Sequence, residues 1–155
     1  LALCLTLQSL DLIAYRFIVP LPIRVEELLD FTPQEWRMLE DGGLATYDLP
    51  SEEVAKVFAL KREHSRLSAN DCFALMTATC QENGILLTGD ALLRKVAAAR
   101  NVRVHGVLWI VDQLYTAEIC DVELLISALE CWRDDDAVFL PSAEIDSRLR
   151  LLCKI

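Results

Sequence analysis

Residues 67–106, LSANDCFALMTATCQENGILLTGDALLRKVAAARNVRVHG, switch between helical and strand patterns within one short span, which narrows the fold more than any other feature of the chain. Ser68 is a good helix N-cap, and Asp71 follows three residues later. Phe73, Ala74, Met76, Ala78 and Cys80 carry the apolar faces of a helix that ends near Glu82. Asn83-Gly84 stops it, with Gly84 suited to the left-handed position after a helix. Ile85-Leu86-Leu87 is a continuous apolar run, as expected of a strand buried on both faces. Thr88-Gly89-Asp90 turns the chain into a second helix over 91–100, and Val102, Val104 and Gly106 mark another short strand and its end.

Such alternation predicts an α/β unit. In a parallel sheet a crossover helix starts near the carboxyl end of one strand and runs back to the start of the next. The start of the Ser68 helix and the end of the Ile85 strand therefore share one sheet edge, the edge where open α/β sheets bind ligands. Topology draws Asp71 and Asp90 towards one another there. Two converging carboxylates repel unless they are protonated or bridged by a cation.

With those residues in hand, LSANDCFAL…ILLTGDALLRKVA…VRVHGVLWI resembles the PIN domain, a metal-dependent nuclease fold frequent among the toxin ribonucleases of prokaryotic toxin–antitoxin pairs. The family pattern has an Asp one turn into a helix after Leu-Ser, then a strand ending in Thr-Gly-Asp, then a helix with Leu/Arg and Val-Ala. The resemblance implies a three-layer α/β/α fold around a central, mostly parallel sheet, with a helical C-terminal extension. It covers the motifs from Leu10 to Trp109 and divides the chain into a PIN-like part over 1–115 and an extension over 116–155. It also implies a first strand, ending in a metal-ligating Asp, about four residues upstream of Leu1.

The N-terminal segment LALCLTLQSLDLI fits a helix following that strand, with Leu3, Leu7 and Leu10 on one face, although strict alternation of its leucines suits a strand equally. It lacks the basic start and cleavage site of a signal peptide, and it is too short and polar for a membrane span. Arg16 to Pro20 reads as a strand, and Pro20 and Pro22 open a helix over 23–29. PIN domains carry a Glu in this helix, in a Val-x-x-Glu-Leu pattern. Glu27, directly before Leu28, matches better than Glu26; without the resemblance either is an acidic residue of a helix start. A capped helix follows over 31–43, with Thr32, Pro33 and Glu35 at its start and Gly42-Gly43 at its end. An edge strand is expected over 44–49. A helix from Pro50 to about His64 would turn Val54, Val57, Phe58 and Leu60 inward. The chain after Gly106 reads as helical, with an acidic turn at Asp134-Asp135-Asp136 that suits a solvated loop better than a metal.

A chain of 155 residues, 54% apolar and with few Gly and Pro, can build a real core and reads as one domain. Its six cysteines contain no C-x-x-C pair, and several fall among apolar residues, so buried, reduced thiols of a cytoplasmic protein are expected. Neither His64 nor His105 has a zinc-like spacing to cysteine. The net charge of −9 runs against non-specific nucleic-acid binding, so an RNA substrate requires local positive charge or bound cations. Lys61, Arg62 and Arg66 precede the central motif, and Arg94, Lys95, Arg100 and Arg103 lie within it. These also suit solvated helix faces, and Arg94 has the spacing to pair with Asp90.

Taken singly, Ser68 with Asp71 is a capping box and Asp90 a helix cap. Joined by Glu27 at one edge, they form a carboxylate cluster that capping does not require, with the oxygen ligands that Mg²⁺ or Mn²⁺ prefers. The expected chemistry is metal-assisted phosphodiester hydrolysis, with Asp71, Asp90 and Glu27 as metal ligands. Thr88 would orient a carboxylate or water, although a Thr at a strand end is more often structural, and Arg94 and Lys95 are the candidates for contact with substrate phosphate. The implied partners are RNA and an antitoxin protein; a homodimer is compatible with the sequence and a membrane is not expected. The rival reading is a catalytically inactive PIN fold acting as an interaction or nucleic-acid-binding protein. A phosphoacceptor module on a doubly wound sheet needs an acceptor Asp and a later Lys at strand ends, and neither is convincingly placed.

Overall fold

The structure is a computed structural model and describes residues 15–135 and 138–153. The expected helix over 1–13, Cys4 and Asp136 lie outside the described residues. The chain divides into two compact units, one over Arg16–Gly106 and one that takes Tyr15 and the chain from Val107 onward.

Within the first unit, β1 (Ile18–Pro20) runs into α1 (Leu21–Glu26) through Pro20 and Pro22, whose fixed φ suits a helix start. This helix is shorter than the sequence implies, and Glu27 is its C-terminal cap rather than an interior residue. Helix α2 (Pro33–Asp41) opens with a complete capping box: Glu35 N–H donates to Thr32 Oγ1 at 3.3 Å, and Thr32 N–H donates to Glu35 Oε2 at 2.8 Å. It closes through Gly43, whose φ of +95° a side chain would resist. Strand β2 (Ala45–Tyr47) then pairs in parallel with β1, Val19 opposite Thr46.

Helix α3 (Ser51–Glu63) packs against α4 (Ala69–Cys80), and the contact is made by Val57, Leu60, Cys72 and Leu75, all buried. Phe58 is 55% exposed, against the expectation that it turns inward. Val57 and Leu60 form the buried stripe of α3, and Phe58, one position on from Val57, is rotated out of it. Strand β3 (Ile85–Leu87) pairs in parallel with β4 (Arg103–His105), Leu86 opposite Val104, and α5 (Ala91–Ala99) connects them. Leu86 enters the core beside Leu93, Val96 and Ala97, while Leu87 is exposed. Successive strand residues point to opposite faces, so β3 is buried on one face and not on both. Among the described residues the four strands form two parallel two-stranded ladders.

The turn after α4 also differs in detail from its sequence reading. Asn83, not Gly84, takes the left-handed conformation, with φ of 57°, which Asn tolerates better than most residues. Gly84 is needed for space instead, since a Cβ there would lie 2.0 Å from the carbonyl oxygen of Ala78.

The second unit is helical: α6 (Val107–Thr116), α7 (Val122–Asp134) and α8 (Ser142–Leu152). Helix α7 packs against both others through Leu125 and Leu129. Arg148 of α8 grips Asp112 of α6 with two parallel bonds, Nε–Oδ1 at 2.7 Å and Nη2–Oδ2 at 2.6 Å. The acidic turn begins inside α7, where Asp134 accepts from Arg133 Nε at 3.0 Å.

Among the described cysteines only Cys72 is buried, which corrects the expectation of buried thiols; Cys80, Cys131 and Cys153 are exposed and Cys120 is intermediate. Cys80 ends α4 and Cys153 caps α8, so both sit where a helix leaves its packed stripe. No helix among the described residues is long and apolar enough to cross a membrane.

Candidate functional site

Three short pieces of the first unit carry the acidic residues singled out from the sequence. The first is the start of α4. Ser68 Oγ accepts from Asp71 N–H at 2.9 Å, and Asp71 Oδ2 accepts from Ser68 N–H at 2.8 Å. The cap fixes the half-buried Asp71 carboxylate through one oxygen, and Oδ1 takes no part in it.

The second piece is the turn between β3 and α5. Asp90 caps α5, its Oδ1 accepting from Leu93 N–H at 2.6 Å, and its Oδ2 takes no part in that cap. Thr88 secures the turn with three groups. Its N–H donates to His105 O of β4 at 2.9 Å, its Oγ1 accepts from Asp90 N–H at 3.1 Å, and its carbonyl accepts from Arg94 Nη1 at 3.0 Å. The expected Arg94–Asp90 pair is thus replaced by a guanidinium bond to the turn's backbone. The cap already occupies Asp90 Oδ1, and the Thr88 carbonyl gives Arg94 a fixed acceptor within reach. Lys95, next along α5, is exposed.

The third piece is the end of α1. Glu27 Oε1 accepts from Asn70 Nδ2 at 2.9 Å and Glu26 Oε2 accepts from the same nitrogen at 3.2 Å. Asn70 immediately precedes Asp71, so the amide carries both glutamates to the start of α4 across more than forty positions of sequence. The amide orientation follows from its partners, because a reversed group would aim its oxygen at two carboxylates. With the nitrogen so directed, Asn70 Oδ1 is buried and accepts no hydrogen bond among the described residues. An orphaned buried acceptor of this kind costs about 1–3 kcal/mol.

Helix α1 has no fully buried residue and no side-chain N-cap. Arg24 anchors it: Nη1 meets Glu40 Oε1 of α2 at 2.6 Å and also bonds Thr46 Oγ1 of β2, while the guanidinium lies 4.5 Å from the centre of the Trp36 ring. Neither Asn70 nor Arg24 stood out in the sequence. Asn70 had one available signal, in that Ser68 and Asp71 complete the cap without it. Arg24 had none, since its partners are remote in sequence.

Two neutral groups lie beside these pieces. The Cys72 thiol, next to Asp71, has its pKa raised first by burial and then by the Asp71 charge. His105, at the end of β4, has its pKa lowered by burial, with Arg103 and Arg94 adding to the effect.

The structure therefore joins Glu27 to Asn70, the residue before Asp71, and it seats Asp90 in the cap of the adjoining helix. Among the described residues, no three His, Cys, Asp or Glu side chains gather closely enough to enclose a metal ion. The donor chemistry nonetheless suits Mg²⁺ or Mn²⁺, which bind hard oxygens. Mg²⁺ in particular commonly uses one or two carboxylates and keeps several waters instead of occupying an all-protein cage. Asp71 Oδ1 and Asp90 Oδ2 lie outside the caps, and Asn70 Oδ1 is a buried acceptor beside the same helix start.

A search of curated proteins and of solved structures returned no match. The family model DUF3368, described as a PIN domain, matches residues 1–153, nearly the whole sequence. The short parallel strands joined by helices agree with an α/β fold of nuclease type, and on that match the chain belongs to the PIN-domain family.

Proposed function

We propose that the protein is a divalent-metal-dependent ribonuclease in which Asp71, Asp90 and Glu27 hold Mg²⁺ or Mn²⁺. The observation that supports this reading is the Asn70 amide, which bonds the Glu27 carboxylate at the residue before Asp71, where α1 packs against α4. PIN domains are generally nucleases and typically use divalent metals, so the site chemistry and the family point the same way. The bound cation would supply an activated water and charge for the leaving oxygen. The chain's own residues prepare the surroundings. Asp71 and Asp90 are each held by a helix cap through one oxygen. Thr88 fixes the backbone that presents Asp90, and Lys95 and Arg94 on α5 offer positive charge to a substrate phosphate in an otherwise acidic protein. A toxin role, with an antitoxin that masks the carboxylates, is a further part of the proposal, as is a cytoplasmic location.

The second reading, an inactive PIN fold that binds a partner or nucleic acid, is favoured by one observation: no three acidic side chains close on a common point among the described residues. The two readings are separated by titrating the chain with Mn²⁺ and following bound ion by electron paramagnetic resonance, with RNA cleavage assayed in the same samples. The nuclease reading expects binding and cleavage, both lost in Asp71→Asn. A folded protein that binds no Mn²⁺ and leaves RNA intact overturns it in favour of the second reading.

A further inference from the structure

We infer that Asn70 is a positioning residue that holds the Glu27 carboxylate at the start of α4. The inference rests on the metal-site reading above and names a residue on which that site depends. Three features of the structure support it. First, Asn70 is redundant for the helix start, because Ser68 and Asp71 satisfy one another there. Second, its NH₂ group faces two like-charged carboxylates, at 2.9 Å from Glu27 and 3.2 Å from Glu26, and offers one hydrogen to each. Adjacent carboxylates repel, so a donor shared between them opposes the separation of the two side chains. Third, its own oxygen is buried and takes no hydrogen bond among the described residues, as for a polar side chain placed for its other end.

Groups that orient a ligating side chain matter to a metal nearly as much as the ligand itself, and their loss weakens binding by about ten- to a hundredfold. The test is Mn²⁺ affinity by electron paramagnetic resonance on the full chain, with Asn70→Ala and Asn70→Ser compared in three backgrounds: native, Glu27→Gln and Glu26→Gln. Both substitutions suit the first turn of a helix, and thermal unfolding of each variant reports the fold independently. In the native and Glu26→Gln backgrounds, affinity is expected to fall by about tenfold or more. In the Glu27→Gln background, the Asn70 substitutions are expected to add nothing, because the residue acts through Glu27. Native affinity in Asn70→Ala and Asn70→Ser overturns the inference and leaves the metal site standing. An equal loss in all three backgrounds, tracking a fall in unfolding temperature, also overturns it, since that is what a merely structural role produces. A native chain that binds no Mn²⁺ removes the metal-site reading and this inference with it.

Discussion

Asp71 is assigned two tasks, and its two oxygens allow them to be separated. Oδ2 accepts from Ser68 N–H at 2.8 Å, and the charge sits in the first turn of α4. Asp71→Ala removes both, at a cost of about 1 kcal/mol for the capping bond and about 0.3–1 kcal/mol for the charge at the helix start. Asp71→Asn keeps an oxygen for Ser68 N–H and loses the charge, so only the smaller part, about 0.3–1 kcal/mol, applies. Ser68→Ala removes the acceptor for Asp71 N–H and costs about 1 kcal/mol, yet leaves every carboxylate in place. Stability in urea should therefore fall furthest in Asp71→Ala, less in Ser68→Ala and least in Asp71→Asn. Affinity for Mn²⁺ should follow a different order: Asp71→Asn and Asp71→Ala lose it alike, by more than about tenfold, and Ser68→Ala stays near the native value. The crossing of the two orders is the signature of a residue that both caps and ligates. Should Mn²⁺ affinity simply track stability across the three variants, or should Asp71→Asn bind as the native chain does, Asp71 is a cap and nothing more.

Gly84→Ala forces a Cβ to 2.0 Å from the Ala78 carbonyl and should cost about 2 kcal/mol or more. Gly89→Ala, with nothing within 4 Å, should be near neutral in the same urea titration. The lowered pKa of His105 means that the unfolded chain binds its proton first on acidification, so stability should fall as the pH drops through about 6.5. His105→Gln should flatten that limb of the denaturation midpoint against pH. Glu35 adds a second loss at lower pH: bonds from the Thr32 backbone and then its hydroxyl hold its pKa below the usual carboxylate range, and their contribution disappears as the pH falls through the folded-state value. Iodoacetamide followed by mass spectrometry should label Cys131 and Cys153 readily in the native protein. Cys80 should react more slowly, because burial and Glu53 raise its thiol pKa, and Cys72 only once α4 opens. Labelling of Cys72 at the rate of Cys131 would contradict its place in the core.

The elements that follow local chemistry were legible in the sequence. Thr32 with Glu35, Ser68 with Asp71, and Asp90 before Ala91 are signals that a helix start must satisfy from within a few residues, and the structure seats each of them in its cap. The family was legible only as a resemblance, carried by the stretch from LSANDCFAL to VRVHGVLWI, and the match over residues 1–153 bears it out. What depends on tertiary placement was not legible. Burial of Phe58 and of both faces of β3 was inferred from apolar character alone, and that character does not reveal which face meets the core. Arg94 had the spacing to pair with Asp90, but the cap had already taken the nearer oxygen and a backbone carbonyl held the guanidinium. Cysteines read as core residues because they count as apolar, although three of them lie at helix ends or on exposed faces.

The contrast extends to the three carboxylates. Asp71 and Asp90 are positioned by the first turns of the helices they cap, so their placement is as robust as those helices and rests on residues within three positions. Glu27 has no such local support. It lies beyond a six-residue helix with no fully buried side chain, which packs against α4 and is tied further by long-range bonds, Arg24 to Glu40 and Thr46 on one side and Asn70 on the other. Short elements with few buried contacts lie at the low-stability end of a structure and open first. A cation shared by these residues would therefore draw two ligands from rigid helix starts and one from a segment that reorders at small cost. In the proposed site, Glu27 would then be the ligand whose position sets metal affinity, and substitution of Asn70, which bonds it, or of Arg24, which anchors its helix, is expected to weaken Mn²⁺ binding.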